Sequence, residues 1–188
     1  MDIQIKDLSH RFGEKVIFEH YDLTLQDGGL YGLTAPSGRG KTTLLRILMG
    51  LLPPDAGTVP QGVRYSAVFQ TDRLLPGRTA VDQLLFARGS KKDRVEAARF
   101  LAGLLPENSL DQPVGELSGG MQRRVAIARS LWAESDAIVM DEPFTGLDEA
   151  TLRQTADFIL ANRQGRTLLL STHQKELLTA YPFTWLTI

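Results

Sequence analysis

The sequence predicts an α/β fold with a mostly parallel sheet, an antiparallel β segment at the N-terminus and an inserted helical segment. Uninterrupted apolar runs at residues 137–140 and 167–170 are typical of parallel strands that are covered on both faces. Between residues 79 and 105, in contrast, apolar side chains recur every three to four positions, which indicates helices. At 188 residues we expect one domain over 1–188, with a helical subdomain at about 71–133 inserted in the core.

The first part of the chain predicts two antiparallel strands followed by a strand, a loop and a helix. Residues 2–9 alternate between polar and apolar side chains, and residues 16–25 supply a second strand before the turn at 27–29. The run LYGLTA (30–35) predicts a short strand that leads into a glycine-rich loop. The segment TTLLRILMGLL after this loop has helical spacing.

The later elements follow from the same two periodicities. Residues 63–69 predict a strand, whereas the stretch 53–62 before it, rich in Pro and Gly, is too short to hold much structure. A helix runs from a Ser-Gly-Gly turn to about Trp132. After the strand at 137–140, the remaining predicted elements are a helix at 148–163, a strand at 167–172, a short helix at 174–180 and a closing strand at 183–188.

Composition excludes several classes of function. A formal net charge of −1 gives no support to binding of a nucleic-acid backbone. The chain has no cysteine, and its three histidines lack metal-ligand spacing, so a bound metal must be held by oxygen. Neither a signal peptide nor an apolar run near the roughly 18 residues of a membrane span is present, so we expect a soluble, cytoplasmic chain.

The segment APSGRGKTT (35–43) fits the P-loop pattern, in which backbone N–H groups hold the β- and γ-phosphates at the positive end of a helix. Lys41 would bridge phosphate oxygens, and the Thr42 hydroxyl would bind Mg²⁺. A chance glycine-rich turn is the alternative, but it leaves the preceding strand and the following helix unexplained. The predicted core is therefore that of a P-loop NTPase. The predicted ATP-binding residues of this loop are Ala35, Pro36, Ser37, Gly38, Arg39, Gly40, Lys41, Thr42 and Thr43.

One position departs from the P-loop pattern, because Ala35 stands where the first glycine usually does. An alanine costs little there if its φ is negative and is strained if its φ is positive. The sequence leaves this choice open.

Two carboxylates follow the apolar run AIVM, at the end of a predicted buried strand. Asp141 would hold Mg²⁺, directly or through water, and Glu142 would orient and deprotonate the attacking water. Solvated acids at a strand end are the alternative. The P-loop upstream favours the catalytic interpretation.

Two further segments carry a resemblance to a known family. LSGGMQRRVAIAR (117–129) resembles the signature of ATP-binding cassette (ABC) ATPases, and MDEPFTGLD (140–148) resembles their Walker B motif and D-loop. The resemblance implies the ABC ATPase fold and a head-to-tail dimer, in which each signature contacts the γ-phosphate on the partner's P-loop. The residues implied to act on the partner's nucleotide are Ser118, Gly119, Gly120 and, at the interface, Asp148. Simple capping of a helix by Ser118 is the alternative.

The same resemblance implies roles for residues elsewhere in the chain. Gln70 is similar to the Q-loop glutamine, which touches Mg²⁺ and the water and senses the transport partner, and His173 resembles the switch histidine at the γ-phosphate. Phe12 stands where the family places an aromatic ring on adenine, although phenylalanine is as often a core residue. The pair Arg123 and Arg124 is interpreted as a solvated helix face.

The function implied is that of an ATP-hydrolysing subunit that powers solute transport by ATP-driven dimer closure, with ATP and Mg²⁺ as cofactors. Implied partners are a second copy of the subunit, transmembrane permease subunits and a solute-binding protein, and the implied location is the inner face of the cell membrane. QTDRLLPGRTAVDQLL (70–85) looks like the segment after the Q-loop in nitrate, sulfonate and taurine importers, with Gly77 in place of a tryptophan. The direction of transport and the solute are open.

Two other functions compete with transport. A soluble ABC ATPase acting on nucleic acid or the ribosome usually carries two cassettes, a coiled coil or basic arms, and the sequence has none of these. A P-loop kinase for small molecules would explain residues 38–43 but leaves the Ser-Gly-Gly turn at 118–120 unexplained.

Overall fold

A computed structural model describes residues 1–36, 38–88 and 94–188. The chain divides into two compact units. Unit 1 comprises residues 1–65, 135–141 and 165–188, and unit 2 comprises residues 66–134 and 142–164. No helix in the described part of the chain is both long and apolar enough to span a bilayer.

The described residues form β-strands, α-helices and short 3₁₀ turns. The strands are β1 (Ile3–Phe12), β2 (Lys15–Leu25), β3 (Leu30–Thr34), β4 (Ala56–Thr58), β5 (Tyr65–Val68), β6 (Ala137–Asp141), β7 (Thr167–Ser171) and β8 (Thr184–Thr187). The helices are α1 (Lys41–Leu48), α2 (Ala80–Arg88), α3 (Arg94–Ala102), α4 (Gly119–Trp132) and α5 (Glu149–Asn162). The 3₁₀ turns are Glu107–Ser109, Val114–Glu116 and Lys175–Leu178.

Unit 1 begins with an antiparallel sheet in the strand order β2-β1-β4, which confirms the predicted antiparallel start. Strand β4 lies in the stretch 53–62, where little structure was expected. It pairs with β1 through Lys6 and Thr58, and at Gly57 (φ 93°) an added Cβ would lie 2.4 Å from the Asp7 carbonyl oxygen. Such a close approach between backbones admits only glycine. The strand therefore depends on its pairing partner more than on its own three residues.

The second sheet has the strand order β5-β6-β7-β3-β8. The first segment of unit 1 ends at Tyr65, which is the first residue of β5. Strands β6, β7, β3 and β8 pair in parallel. Every residue of β6 and of β7 is buried, as the uninterrupted apolar runs predicted. The parallel part of the predicted fold is thus confirmed.

Helix α1 packs its apolar face on the core of unit 1, where Leu44, Leu45 and Ile47 are fully buried. The helix ends at Leu48, and Gly50 follows with a φ of 69° and a backbone hydrogen bond to the Ile47 carbonyl, in the way that a glycine commonly closes a helix. The position of α1 is therefore fixed by its buried face, and its end by Gly50.

Unit 2 is mainly helical, as expected for the segment from 79 to 105 and for the helix that follows the Ser-Gly-Gly turn. Helices α2, α3 and α4 bury Leu84, Leu101 and Val125 in a common core. The ring of Phe100 lies against Trp132 and Phe158, with centroids 5.2 Å and 5.0 Å away. Residues 89–93, within the predicted helical segment, lie outside the described residues.

Candidate functional site

The loop between β3 and α1 depends on two glycines with positive φ. Gly38 has a φ of 75° and Gly40 a φ of 101°. At Gly40 an added Cβ would lie 2.5 Å from Cγ2 of Ile17 and 3.0 Å from Cζ of Phe18, so that both space and conformation require glycine. This tight turn lets α1 begin at Lys41. The predicted site residue Ser37 lies outside the described residues.

The N-terminus of α1 has the features of an anion-binding site. Among the described residues, no side chain caps this end, because the N-cap position is taken by Gly40. The first turn, all of it described, has no acidic residue. The first N–H groups of a helix have no partner within the helix and carry the positive end of its dipole, so a phosphate is the kind of group that this end binds.

Lys41 joins the loop to the end of β7. Its Nζ donates to the Ala35 carbonyl oxygen over 2.8 Å and lies 3.1 Å from Nε2 of His173. The residue is only 8% exposed. Five described residues other than glycine have a positive φ, and Ala35 is not one of them. Alanine therefore fits the first position of the loop without backbone strain.

Asp141 accepts two hydrogen bonds at the end of β6. The Thr42 hydroxyl donates to Oδ2 over 2.7 Å, and the Ser171 hydroxyl donates to Oδ1 over 2.6 Å. Asp141 is 6% exposed, and Ser171 is its neighbour across the parallel β6–β7 pair. The sequence did not lead us to predict a role for Ser171, although a hydroxyl residue at the end of the apolar run TLLLS indicates a polar group at the end of a buried strand.

The oxygens of Thr42 and Asp141 fit Mg²⁺, which prefers oxygen ligands and binds through one or two carboxylates together with phosphate. The described residues contain no group of three or more His, Cys, Asp or Glu that could hold a metal ion. A magnesium ion at this position would be held by these two side chains and by the nucleotide itself.

Glu142 follows β6 directly and begins the second segment of unit 2. Its φ is 52°, in the left-handed region that residues other than glycine rarely occupy. Such conformations cost about 1–3 kcal/mol and cluster at functional sites. The strained backbone at this position is consistent with the role predicted for the carboxylate.

Ser118 is the N-cap of α4, and its hydroxyl accepts a hydrogen bond from the Met121 N–H over 3.3 Å. The capping alternative is thus part of the geometry. No described atom lies within 4 Å of an added Cβ at Gly119, and at Gly120 an added Cβ would meet Cδ2 of Leu147 at 3.3 Å. The turn exposes Ser118 and Gly119 to solvent. A capped, exposed helix start of this kind remains suited to an anion.

Asp148 is the N-cap of α5 and is exposed. It accepts hydrogen bonds from the backbone N–H of Thr151 over 2.9 Å and from the Thr151 hydroxyl over 2.7 Å. These bonds, that of the backbone first, lower the pKa of the Asp148 carboxyl. Its predicted role at a dimer interface stays a prediction.

The interpretation of Arg123 and Arg124 as a solvated helix face is wrong. Arg123 is 7% exposed and donates to the carbonyl oxygens of Phe69 and Gln70, each over 2.7 Å. Arg124 donates to the Leu104 carbonyl oxygen. Both guanidinium groups bind backbone carbonyls of other segments, which the charge pattern of a helix cannot reveal.

Phe12 lies at the end of β1 and is 53% exposed. Its ring contacts the buried ring of His10 edge-on, with centroids 4.8 Å apart. An exposed aromatic ring is suited to stacking on a base. The adenine contact stays a prediction.

The two units thus carry different groups of the predicted residues. Unit 1 brings together side chains or carbonyls of Ala35, Lys41, Thr42, Asp141 and His173. Unit 2 carries Gln70, Ser118, Gly119, Gly120, Glu142 and Asp148. Ser171 belongs with the first group by its hydrogen bond to Asp141, and the sequence did not predict it.

Comparisons with known proteins agree with these motifs. A family model described as "ABC transporter" matches residues 18–145. The chain is 39% identical over 194 residues to the Nod factor export ATP-binding protein I of Burkholderia lata, which covers 93% of this chain. It spans only 63% of that relative's length. It is also 37% identical over 174 residues to the aliphatic sulfonates import ATP-binding protein SsuB 1 of Nocardia farcinica, which covers 91% of this chain and 71% of the relative.

Solved structures share the fold. A dimeric ATP-binding cassette in a post-hydrolysis state, bound to ADP and Pi, matches with a TM-score of 0.81 and 26% identity, over 93% of this chain and 89% of that chain. A putative ABC transporter ATP-binding protein from Pyrococcus furiosus matches in fold with a TM-score of 0.86 and 24% identity, over 100% and 97% of the two chains. With its α/β fold, its P-loop and its Ser-Gly-Gly helix start, the chain belongs to the ABC transporter family.

Proposed function

We propose that the chain is the ATP-binding and ATP-hydrolysing subunit of a transporter and acts with separate membrane subunits. The observation that carries this proposal is the 2.7 Å hydrogen bond from Thr42 to Asp141. This bond brings the first turn of α1, the helix after the P-loop, to the end of the buried strand β6. Lys41 directly precedes Thr42 in the sequence. Hydroxyl, carboxylate and ammonium groups in this arrangement suit a nucleoside triphosphate with its metal ion.

Each group at the P-loop has a separate task in this proposal. The backbone N–H groups of residues 38–43 bind phosphate oxygens, and Lys41 bridges the β- and γ-phosphates. Thr42 and Asp141 would hold Mg²⁺, and Gln70 stays a predicted further ligand. Bound there, the ion would neutralise charge on the phosphate oxygens.

Hydrolysis needs a group that removes a proton from water. We assign this step to Glu142, whose carboxylate would accept the proton as the water oxygen attacks the γ-phosphorus. His173 would contact the γ-phosphate, and its ring nitrogen already lies 3.1 Å from the Lys41 ammonium. The adenine base would stack on Phe12.

A second copy of the chain would complete each site. Ser118, Gly119 and Gly120 of one protomer would donate to the γ-phosphate held by the other, and Asp148 would lie at the interface. The first turn of α4 has no acidic residue, which favours an anion there. A solved relative in the family is a dimer bound to ADP and Pi. Closure around ATP would exclude water from the shared charge.

Transport requires membrane partners, for which the relatives are the support. The two named above are an export and an import ATP-binding protein, so both directions stay open for this chain. We infer transmembrane permease subunits, a peripheral position at the inner face of the membrane and, for an importer, a solute-binding protein. These relatives favour transport over action on nucleic acid. The helical subdomain of about 71–133 would be the part that meets the membrane subunits, and unit 2 supports its placement.

The test of this proposal is the dependence of ATP hydrolysis on protein concentration. If two protomers share each site, phosphate release per molecule rises with concentration and reaches a plateau as dimers form. A specific activity that is constant from strong dilution upwards would show that each protomer works alone. Transfer of the phosphate to an added small molecule, without dimers, would favour a kinase instead.

A further inference from the structure

Helix α4 carries the predicted signature at its start and binds the predicted Q-loop along its length. We call residues 69–73 the Gln70 loop. Arg123 lies in the second turn of α4. One of its guanidinium nitrogens donates to the Phe69 carbonyl oxygen, and another donates to the Gln70 carbonyl oxygen. Both distances are 2.7 Å, which is short for a nitrogen donor and typical of a charged one.

A second arginine of the same helix binds the rest of this loop. Arg129 donates to the Arg73 carbonyl oxygen over 2.8 Å and to the Asp72 carbonyl oxygen over 2.9 Å. Two planar guanidinium groups therefore each bridge a pair of backbone carbonyls. This fork geometry is specific to arginine, since a lysine ammonium is a single point of charge.

The surroundings of Arg123 make its hydrogen bonds hard to exchange for water. Arg123 is buried and also forms an ion pair with Asp72, at 3.0 Å between Nη1 and Oδ1. Burial raises the pKa of Asp72, although Arg123 and Arg129 act in the opposite direction. Removal of one member of a buried charged group leaves the others without compensation, so the group resists separation.

The loop is also held from within. Arg73 has a φ of 48°, and its guanidinium lies over the Phe69 ring at 4.0 Å from the centroid. The side chain of Gln70 itself is exposed, while its carbonyl is bound by Arg123. The backbone of the loop is thus fastened to α4, and the glutamine amide is left at the surface.

We propose that Arg123 and Arg129 are positioning residues that fix the Gln70 loop to the signature helix, so that a displacement of one displaces the other. An α-helix transmits such a displacement along its axis because its backbone bonds hold successive turns together. A partner that shifts Gln70 would then shift Ser118 to Gly120 by the same movement. This inference rests on the proposed function, in which Gln70 and the signature both act on nucleotide.

The test is a double-mutant cycle on the rate of ATP hydrolysis of the full chain. Its variants are Gln70→Ala, Arg123→Lys and the combination of both. Arg123→Lys keeps the charge and loses the fork. We expect it to lower kcat by roughly 10- to 100-fold with a much smaller change in KM, as misplacement of a catalytic group does. In the Gln70→Ala background it should cause no further loss of kcat.

The outcomes separate this inference from the proposed function. If the fold-losses of kcat in Arg123→Lys and Gln70→Ala multiply in the double variant, Arg123 acts independently of Gln70. If Arg123→Lys leaves kcat unchanged, Arg123 does not position a catalytic group. Either result overturns the inference. If Gln70→Ala leaves kcat unchanged while Lys41→Ala weakens nucleotide binding, the role given to Gln70 fails, this inference fails with it, and the P-loop assignment stands.

Hydrogen exchange supplies a measurement that does not depend on catalysis. Arg129→Lys should increase the exchange rates of peptides from the Gln70 loop and from residues 118–122 together, at an unchanged far-UV circular dichroism spectrum. Faster exchange in the loop alone would overturn the coupling. Arg153→Lys is the matched control, because Arg153 is an exposed arginine that donates two bonds to Glu149 within α5. Arg153→Lys should leave the exchange rates of both segments unchanged.

Discussion

The Thr42 hydroxyl donates a 2.7 Å hydrogen bond to Oδ2 of Asp141, 99 residues away in the sequence. The second oxygen of the same carboxylate accepts from Ser171 over 2.6 Å. The carboxylate is therefore fixed in position by hydroxyls from α1 and β7. A fixed carboxylate beside a hydroxyl at a helix start is what an octahedral Mg²⁺ needs from a protein.

Asp141→Asn should weaken the use of magnesium. The amide keeps the shape and can still accept from a hydroxyl, but it removes one unit of negative charge. We expect the Mg²⁺ concentration for half-maximal ATP hydrolysis to rise by about tenfold or more. Asp136→Asn is the control, because Asp136 is an exposed partner of Arg64 and lies one residue before β6, the strand that ends at Asp141. An equal magnesium requirement in the two variants would contradict the metal assignment.

Lys41→Ala should weaken nucleotide binding itself. The ammonium is buried and placed by the Ala35 carbonyl, so its loss removes a charge-assisted hydrogen bond to phosphate. The affinity for ATP, measured by calorimetric titration, should fall by roughly 10- to 100-fold. Lys6→Ala, at an exposed lysine of β1, should bind as the parent does. Unchanged affinity in Lys41→Ala would remove its phosphate role.

Glu142→Gln should separate binding from turnover. The amide cannot accept a proton from water, so hydrolysis should slow by roughly 10² to 10⁴ while ATP binding persists. An ATP-bound dimer should then accumulate, and gel filtration with ATP would detect it. Glu149→Gln, in the first turn of α5, is the control. Hydrolysis at the parental rate in Glu142→Gln would rule out Glu142 as the base.

Gly40→Ala should destabilise the fold, because Gly40 combines a φ of 101° with a predicted Cβ contact of 2.5 Å to Ile17. The backbone strain alone costs about 1–3 kcal/mol, and the urea midpoint of unfolding should fall accordingly. At Gly77 no φ in the left-handed region applies and no described atom lies within 4 Å of an added Cβ. Gly77→Ala should therefore stay within about 0.5 kcal/mol of the parent. Equal midpoints for both variants would contradict this.

The stability of the chain should show a small pH dependence from His20. The hydrogen bond that the His20 ring donates to the Asp7 carboxylate, first, and the negative charge of Asp7 raise the pKa of His20 above its usual value in the folded state. The folded state therefore binds the proton more tightly, and the contribution to stability is complete below the unfolded pKa and is lost as the pH rises through the higher folded pKa. Chemical denaturation from pH 5 to 9 should show this decline, and His20→Gln should lack it. A decline of equal size in His20→Gln would assign it to other groups.

Sequence patterns determined the parallel strands and the P-loop because these depend on local, repeated features. The runs at β6 and β7 are apolar at every internal position. This pattern is typical of a strand that is covered on both faces. Strand β4 escaped prediction because its three residues are exposed and are held by pairing with β1. A short strand of this kind is stabilised by its neighbour, which no local pattern records.

The sequence alone predicted which residues would bind phosphate and metal, since the chemistry of Lys41, Thr42 and Asp141 and their places at the ends of elements follow from the local order of residues. The tertiary structure alone decided two other contacts: the hydrogen bond of Ser171 to Asp141, and the hydrogen bonds of two α4 arginines to the carbonyls of the Gln70 loop. The physical reason is that a backbone carbonyl is present at every residue. Which one a buried guanidinium will reach depends only on where the chain has folded.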